Sequence, residues 1–160
     1  MIEMQLVGVR VELPTNQPIV LLRERTGERF LPIWIGPVEA TAIAFCLQGI
    51  VTQRPMTHDL LKSILEEVGV SVDRVVITEL VDTTFYANLE LSRDGSTFSV
   101  SSRPSDAIAL AVRSGVPLYA SPDVLTAAGI HIEDGDEEEE VEKFRVFIES
   151  ISPEDFGASP

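Results

Sequence analysis

The sequence predicts an α+β fold in which a mixed or antiparallel sheet is combined with clustered helices. The first observation behind this prediction is the order of the patterns: three strands, two helices, three strands, a helix, a strand and a helix. Helices that arrive in groups favour α+β over a doubly wound α/β sheet, in which a helix follows nearly every strand. The second is the turn Arg93-Asp94-Gly95-Ser96, which is a strong signal for a hairpin between neighbouring strands.

The first half of the chain begins with strand patterns bounded by Pro-, Asn- and Gly-containing turns. We expect strands at 2–13, 19–25 and 30–35, followed by helices at 38–47 and 57–68. The residues of the first helix are small and apolar on every side, which is typical of a helix buried in the core. The second has apolar residues at helical spacing, and Thr57 is a candidate for its N-cap.

The second half of the chain begins with three further strand patterns. We expect strands at 70–80, 85–91 and 98–101, a helix at 107–113, a strand at 116–120, and a short helix that begins after Ser121 and ends at Ala128. Ser102 is a second candidate for an N-cap, because it precedes Arg103-Pro104-Ser105-Asp106 and the apolar helix.

The length of 160 residues fits one domain with an appendage, which we place at 1–132 and 133–160. The appendage carries eleven acidic residues against two basic ones and predicts a charged linker followed by an amphipathic helix. The apolar residues of that helix suit docking on the domain or on a neighbouring subunit. The run of glutamates is read as a solvated face, with a metal site or a basic partner as the alternatives.

Net charge is −14, so the chain as a whole repels polyanions at long range. General coating of nucleic acid by a basic surface is therefore not expected, and any nucleic acid must be bound at a local site. No secretory signal and no run of apolar residues long enough to span a membrane is visible. Cys46 is the single cysteine, so no internal disulfide can form. These features predict a cytoplasmic protein with no membrane association.

Familiar catalytic signatures are absent from the sequence: there is no Gly-rich phosphate loop, no pair of cysteines at zinc spacing and no nucleophile elbow. Instead one pattern occurs twice, as Arg54-Pro55 before Asp59 and as Arg103-Pro104 before Asp106. An arginine beside the free N–H groups of a helix N-terminus suits a phosphate. An aspartate in a first turn equally well serves only the helix dipole, and an arginine before a helix equally well bridges to a neighbouring carboxylate.

Two further residues are candidates for the same site. His58 is the side chain best suited to proton transfer near neutral pH, although a solvated helix position is the alternative. Glu39 is an acid in the first turn of an apolar helix, where it is either a partner of the helix dipole or a metal ligand.

The same residues carry a resemblance to the bifunctional nuclease (BFN-domain) family of bacteria and plants. The matching stretches are Leu31-Pro32-Ile33-Trp34-Ile35-Gly36 with Glu39-Ala40, Arg54-Pro55-Met56-Thr57-His58-Asp59-Leu60, Thr84-Phe85-Tyr86-Ala87, and Arg103-Pro104-Ser105-Asp106-Ala107-Ile108-Ala109-Leu110-Ala111. They lie in order over about residues 1–130. One departure is Ser101, where the family often has an aspartate two residues before the second arginine.

The resemblance implies a mixed α+β domain that self-associates, with a dimer as the first expectation, and a nuclease activity on DNA and RNA. In the leading hypothesis Asp106, Asp59 and Glu39 hold Mg²⁺ or Mn²⁺, hard cations that prefer carboxylate oxygen. Arg54 and Arg103 would stabilise charge on the phosphate oxygens.

In the same hypothesis His58 would act as general base or general acid. The alternative is a non-catalytic oligomeric or regulatory module, in which the Arg-Pro motifs cap helices and bridge subunits. A weaker third hypothesis is a sensor of small anions at the two helix N-termini.

Overall fold

The computed structural model describes residues 1–12 and 14–132, which form a sheet and four helices. The strands are β1 (Ile2–Glu12), β2 (Gln17–Glu24), β3 (Phe30–Trp34), β4 (Ser71–Val81), β5 (Thr84–Arg93), β6 (Ser96–Ser102) and β7 (Leu118–Ala120). The helices are α1 (Pro37–Leu47), α2 (Thr57–Glu67), α3 (Pro104–Ser114) and α4 (Pro122–Ala128). The predicted order of strands and helices is therefore confirmed.

The seven described strands form one sheet in the order β3-β2-β1-β7-β4-β5-β6. Neighbouring strands are antiparallel except β4 and β7, which are parallel. The short strand β7 lies between the two groups of three strands and joins them into one sheet. This mixed sheet with clustered helices confirms the predicted α+β class.

The core lies where α1 and α3 pack on the sheet and on each other. Residues 40–45 of α1 and 107–111 of α3 are all buried, as expected for helices that are apolar on nearly every side. Many of them are alanines, which allow two helix axes to approach closely. Their close packing brings the first turn of α1 beside the first turn of α3, and this juxtaposition creates the site described below.

The two hairpins after α2 have two-residue turns with left-handed backbone. Asp94 (φ 50°) and Gly95 (φ 81°) confirm the turn predicted between β5 and β6, since hairpin turns of this kind need positive φ at both positions. Asp82 (φ 48°) and Thr83 (φ 68°) make the corresponding turn between β4 and β5. A β-branched residue such as Thr83 rarely adopts this conformation.

Both predicted N-caps were wrong by one residue. The N-cap of α2 is Met56 rather than Thr57, because the Asp59 carboxylate accepts a hydrogen bond from the Met56 backbone N–H at 3.0 Å and closes the first turn there. The N-cap of α3 is Arg103 rather than Ser102. That helix begins at Pro104, three residues before the predicted start, because proline at the first helical position needs no amide partner.

The longest helices in the described part of the chain have 11 residues, and none of the helices there is long and apolar enough to cross a membrane. The acidic segment 133–160, with its predicted linker and amphipathic helix, lies outside the described residues. The division of the chain at residue 132 therefore stays a prediction.

Candidate functional site

The candidate site lies where the first turns of α1, α2 and α3 meet. Each helix contributes one acidic residue from its first turn: Glu39, Asp59 and Asp106. The proline at the start of α1 and of α3 and the aspartate in the first turn of α2 and of α3 are local signals that fix these helix starts. Two separate ionic networks join the three helices, one at the first turn of α3 and the other at its last turn.

The first network begins with a histidine–aspartate pair. Nε2 of His58 lies 2.9 Å from Oδ1 of Asp106, although the two residues are 48 positions apart. His58 is buried, with 7% of its surface exposed, and Asp106 is about one-third exposed. The sequence predicted both residues for the site, and the fold brings them into direct contact.

Arg103 extends this pair to α1. Its Nε donates to Oδ2 of Asp106 at 2.9 Å, and its Nη2 donates to Oε1 of Glu39 at 2.8 Å. Glu39 is mostly buried, whereas 65% of the Arg103 side chain is exposed. Glu39, Arg103, Asp106 and His58 thus form one chain of contacts, which we call the Arg103 network. Among the described residues, no hydrogen bond engages Nη1 of Arg103, so that nitrogen remains able to donate to a ligand.

Gly36, the N-cap of α1, leaves the space that the Glu39 carboxylate occupies. A Cβ atom at this position would collide with Oε2 of Glu39, which folds back over the start of the helix. Because Arg103 holds the other carboxylate oxygen, Glu39 cannot easily move aside. The glycine therefore helps to place Glu39 in the Arg103 network.

The charge states of the Arg103 network follow from its contacts. Burial pushes the pKa of the Asp106 carboxyl upward, but hydrogen bonds from His58 and Arg103 outweigh burial and hold this pKa below its ordinary value. The contact with Glu39, followed by that with Asp106, raises the pKa of Arg103. Asp106 is therefore a carboxylate at neutral pH and can only accept, so Nε2 of His58 donates the shared hydrogen bond. This tautomer leaves Nδ1 as the nitrogen of His58 that can accept a proton.

Asp59 belongs to a second network centred on Arg113 of α3. Nε of Arg113 donates to Oδ1 of Asp59 at 2.7 Å, and its two other nitrogens donate to the carbonyl oxygens of Ala109 and Ala42, each at 3.0 Å. Only 6% of the Arg113 side chain is exposed. We call these contacts the Arg113 network, and they connect α2, α3 and α1.

The electrostatics of Asp59 resemble those of Asp106. Burial raises the pKa of Asp59, whereas the hydrogen bonds from Arg113 and from the Met56 backbone N–H lower it more, so the net pKa lies below its ordinary value. Both oxygens of this carboxylate are already engaged within the protein. These contacts are those of a residue that fixes the start of α2.

Arg54, the other arginine predicted for the site, lies apart from both networks. Its side chain is exposed, and it makes no ion pair with any of the described residues. The reason is the spacing of the two motifs: Arg103 precedes Asp106 by three residues, whereas Arg54 precedes Asp59 by five. Arg54 is thus two positions before the N-cap of α2, and the two Arg-Pro motifs are not structurally equivalent.

The described residues do not fit the expected three-carboxylate metal site. Glu39 and Asp106 share Arg103, while Asp59 pairs with Arg113. Within residues 1–12 and 14–132, no three His, Cys, Asp or Glu side chains form a group that suits a metal ion. Binding of Mg²⁺ or Mn²⁺ stays a prediction.

Sequence reasoning missed Arg113, whose contacts join all three helices. One signal was available: it is a lone basic residue in an otherwise small and apolar helix, seven positions after Asp106 and therefore on nearly the same helix face. Ser101, where the family often has aspartate, lies on the edge strand β6, is exposed and pairs with Asn88. Among the described residues, no hydrogen bond or ion pair joins it to either network.

Comparison with known proteins identifies relatives over most of the chain. A model of the bifunctional nuclease domain matches residues 20–133. An uncharacterized protein of Mycobacterium tuberculosis, Rv1829, is 48% identical over 98% of this chain and 99% of its own length. Bifunctional nuclease 1 of Oryza sativa subsp. indica is 31% identical over 73% of this chain and 36% of its own length. Bifunctional nuclease 1 of Arabidopsis thaliana is 28% identical over 75% of this chain and 39% of its own length.

Proposed function

The chain belongs to the bifunctional nuclease domain family, and on this premise we propose that it hydrolyses phosphodiester bonds of DNA or RNA at the Arg103 network. The observation that carries the proposal is the contact of His58 with one oxygen of Asp106 while Arg103 holds the other. A proton-transfer group and an exposed cation are thereby fixed on one carboxylate.

His58 is the proton acceptor in this proposal. Asp106 orients the imidazole and stabilises the imidazolium that forms when Nδ1 takes a proton from water. That water adds to phosphorus, the bond from phosphorus to the leaving sugar oxygen breaks, and the leaving oxygen takes a proton from solvent. General base catalysis of this kind contributes about 10²–10⁴-fold to a rate.

Arg103 is the phosphate-binding group. A guanidinium has a rigid set of N–H donors that match phosphate oxygens, and Nη1 is directed to no described acceptor. Glu39 and Asp106 hold the other nitrogens, so the guanidinium needs little reorganisation when charge develops on the phosphate. Because Glu39 and Asp106 offset the charge of Arg103, binding of phosphate in this acidic chain depends on direct hydrogen bonds at the site and not on long-range attraction.

The steps above use only side chains of the chain, since its described carboxylates do not form a ligand group for a metal ion. Whether cleavage needs Mg²⁺ or Mn²⁺ is tested by including each ion, or EDTA, in the cleavage assay. We also propose that the chain forms a homo-oligomer, with a dimer as the first expectation, and that it is located in the cytoplasm.

A non-catalytic oligomeric or regulatory module is the second candidate, and one observation favours it. The carboxylates of Glu39, Asp59 and Asp106 are each paired with an arginine, and His58 is buried. A network satisfied in this way also serves to fix three helix starts without any chemistry.

Cleavage by highly purified protein distinguishes the two candidates. Single-stranded DNA, duplex DNA and RNA are incubated with the protein in Mg²⁺, in Mn²⁺ and in EDTA. Asp106→Asn removes the charge that orients His58, while Asp123→Asn changes an exposed first-turn aspartate of α4 and is the matched control. The proposal predicts cleavage that is at least about 100-fold slower in Asp106→Asn and normal in Asp123→Asn. Equal, faint cleavage by all three proteins would point to contamination and to the second candidate.

A further inference from the structure

A cleft of about 340 Å³ opens directly beside Arg103. It is bounded by the end of β3, the β4–β5 turn and the start of α3, and its lining includes Gln17, Trp34, Thr83, Phe85 and Arg103. We call it the Arg103 cleft. Its volume lies at the lower end of the range for small-ligand sites, about 300–1,000 Å³.

The charge of the Arg103 cleft differs from that of the chain. The protein has 26 acidic residues against 12 basic ones, yet none of the described residues that line this cleft is Asp or Glu. Arg103 is the charged residue of the lining, and 65% of its side chain is exposed. Two nitrogens of this guanidinium are held by Asp106 and Glu39, so a phosphate in the cleft is attracted locally, by a direct hydrogen bond from Nη1, and not by a positive field over the cleft.

Trp34 supplies the cleft with an aromatic surface. It is the last residue of β3, and 52% of its surface is exposed, although tryptophan is a residue that folding usually buries. Phe85, at the start of β5, adds a second ring to the lining. Phe85 is partly buried against the core, so Trp34 is the exposed ring of the lining. An exposed aromatic ring next to a cation is a combination that binds single-stranded nucleic acid, because every base has a face that can stack.

We propose that the Arg103 cleft binds one unpaired nucleobase, stacked on the indole of Trp34, with the adjoining phosphate on Nη1 of Arg103. The inference rests on the proposed function, since it places the substrate of that same site. Paired bases in a duplex do not present their faces, so the cleft selects single-stranded nucleic acid over duplex. Trp34 is a binding residue in this account and takes no part in the chemical step.

Tryptophan fluorescence tests the cleft without any need for cleavage. Trp34 is the single tryptophan of the 160-residue chain, so its emission reports on this position alone. Single-stranded oligothymidylate is titrated into the full chain at low salt, beside the same strand paired with oligoadenylate. We expect saturable quenching by the single strand at a concentration about tenfold lower than for the duplex, and weaker binding in Arg103→Ala. No quenching, or equal quenching by both, would overturn the proposal.

Cleavage kinetics provide the second readout. Trp34→Ala should raise KM for single-stranded substrate about tenfold with little change in kcat, and Trp34→Phe, which keeps a ring, should lie between. Val51→Ala, at a position 89% exposed outside the cleft, is the control and should leave KM unchanged. Cleavage with an unchanged KM in Trp34→Ala would overturn the cleft but leave the nuclease proposal intact. Quenching without any cleavage would support the cleft and count against the nuclease.

Discussion

Nε2 of His58 in the first turn of α2 lies 2.9 Å from Oδ1 of Asp106 in the first turn of α3. Arg103 contacts the other oxygen of the same carboxylate and links it to Glu39 on α1. One aspartate thus determines the positions of a histidine and an arginine from different parts of the chain.

Arg103 should matter for its shape as well as its charge. Arg103→Lys keeps a cation but loses the planar fork that contacts Asp106 and Glu39 together, so we expect kcat/KM for nucleic acid to fall at least about tenfold. Because the side chain is 65% exposed, stability should change by less than about 1 kcal/mol. Arg93→Lys, at an exposed arginine outside the site, is the control.

The opposite pattern would favour the module without catalysis. If Arg103→Ala lowers the melting temperature strongly or changes the molecular mass in solution, while any cleavage persists, then Arg103 serves structure or assembly. Thermal melts and light scattering on the same samples give this answer.

Arg113 should be needed for stability. Arg113→Ala removes the donor to Oδ1 of Asp59 and the side-chain donors to two carbonyl oxygens, and we expect a loss of about 2–3 kcal/mol in the free energy of unfolding. The value is set below that of a fully buried pair because Asp59 is 40% exposed. Urea unfolding measures it, with the exposed Arg93→Ala as control. A loss under about 0.5 kcal/mol would show that the Arg113 network does not hold the three helices together.

Stability should fall in acid for a defined reason. The pKa values of Asp59 and Asp106 are lowered in the folded protein, so the unfolded chain binds more protons in acid. Their contribution is complete above about pH 4, the region of an ordinary aspartate, and is lost as the pH falls through the folded pKa values. Urea unfolding from pH 6 to about pH 3 should show this loss, and Asp59→Asn should reduce the slope. An unchanged slope in that variant would remove Asp59 as a cause.

Arg54 should act on substrate binding and not on the chemical step. It lies outside both networks, so Arg54→Ala should change stability by less than about 0.5 kcal/mol. If Arg54 binds substrate and transition state equally, Arg54→Ala should raise KM and leave kcat unchanged, and the catalytic role predicted from the sequence would be one of binding only. A large fall in kcat with a normal melt would instead place Arg54 at the reacting phosphate.

The fold could be predicted from the sequence because its signals are local. The Asp94-Gly95 turn, the apolar helices and the order of the patterns each reflect neighbouring residues, and all were confirmed. The β4–β5 turn gave no such signal, since Asp82-Thr83 contains no glycine. The N-caps were misplaced by one residue, because the contact of Asp59 with the Met56 N–H sets the start of α2 and the proline at the first position sets the start of α3.

The site was harder to predict because its contacts are long-range. The residue types were identified, but the pairing of His58 with Asp106 depends on how α2 and α3 pack. The two Arg-Pro motifs look alike in sequence, but the arginine lies three residues before the aspartate in one and five residues before it in the other. Their arginines therefore occupy different positions relative to the helix start. Arg113 was missed because its neighbours in the sequence do not show that Asp59, 54 positions earlier, lies beside it in the fold.

The most direct test is a double-mutant cycle between His58 and Asp106, measured as kcat/KM for single-stranded DNA cleavage. Three proteins, His58→Ala, Asp106→Asn and the double variant, are compared with the unaltered chain, and a thermal melt of each confirms folding. If the pair acts as a unit, the double variant is no slower than the slower single variant, because removing either partner already disables the other. Effects that multiply, or variants as active as the unaltered chain, would contradict a catalytic His58–Asp106 pair.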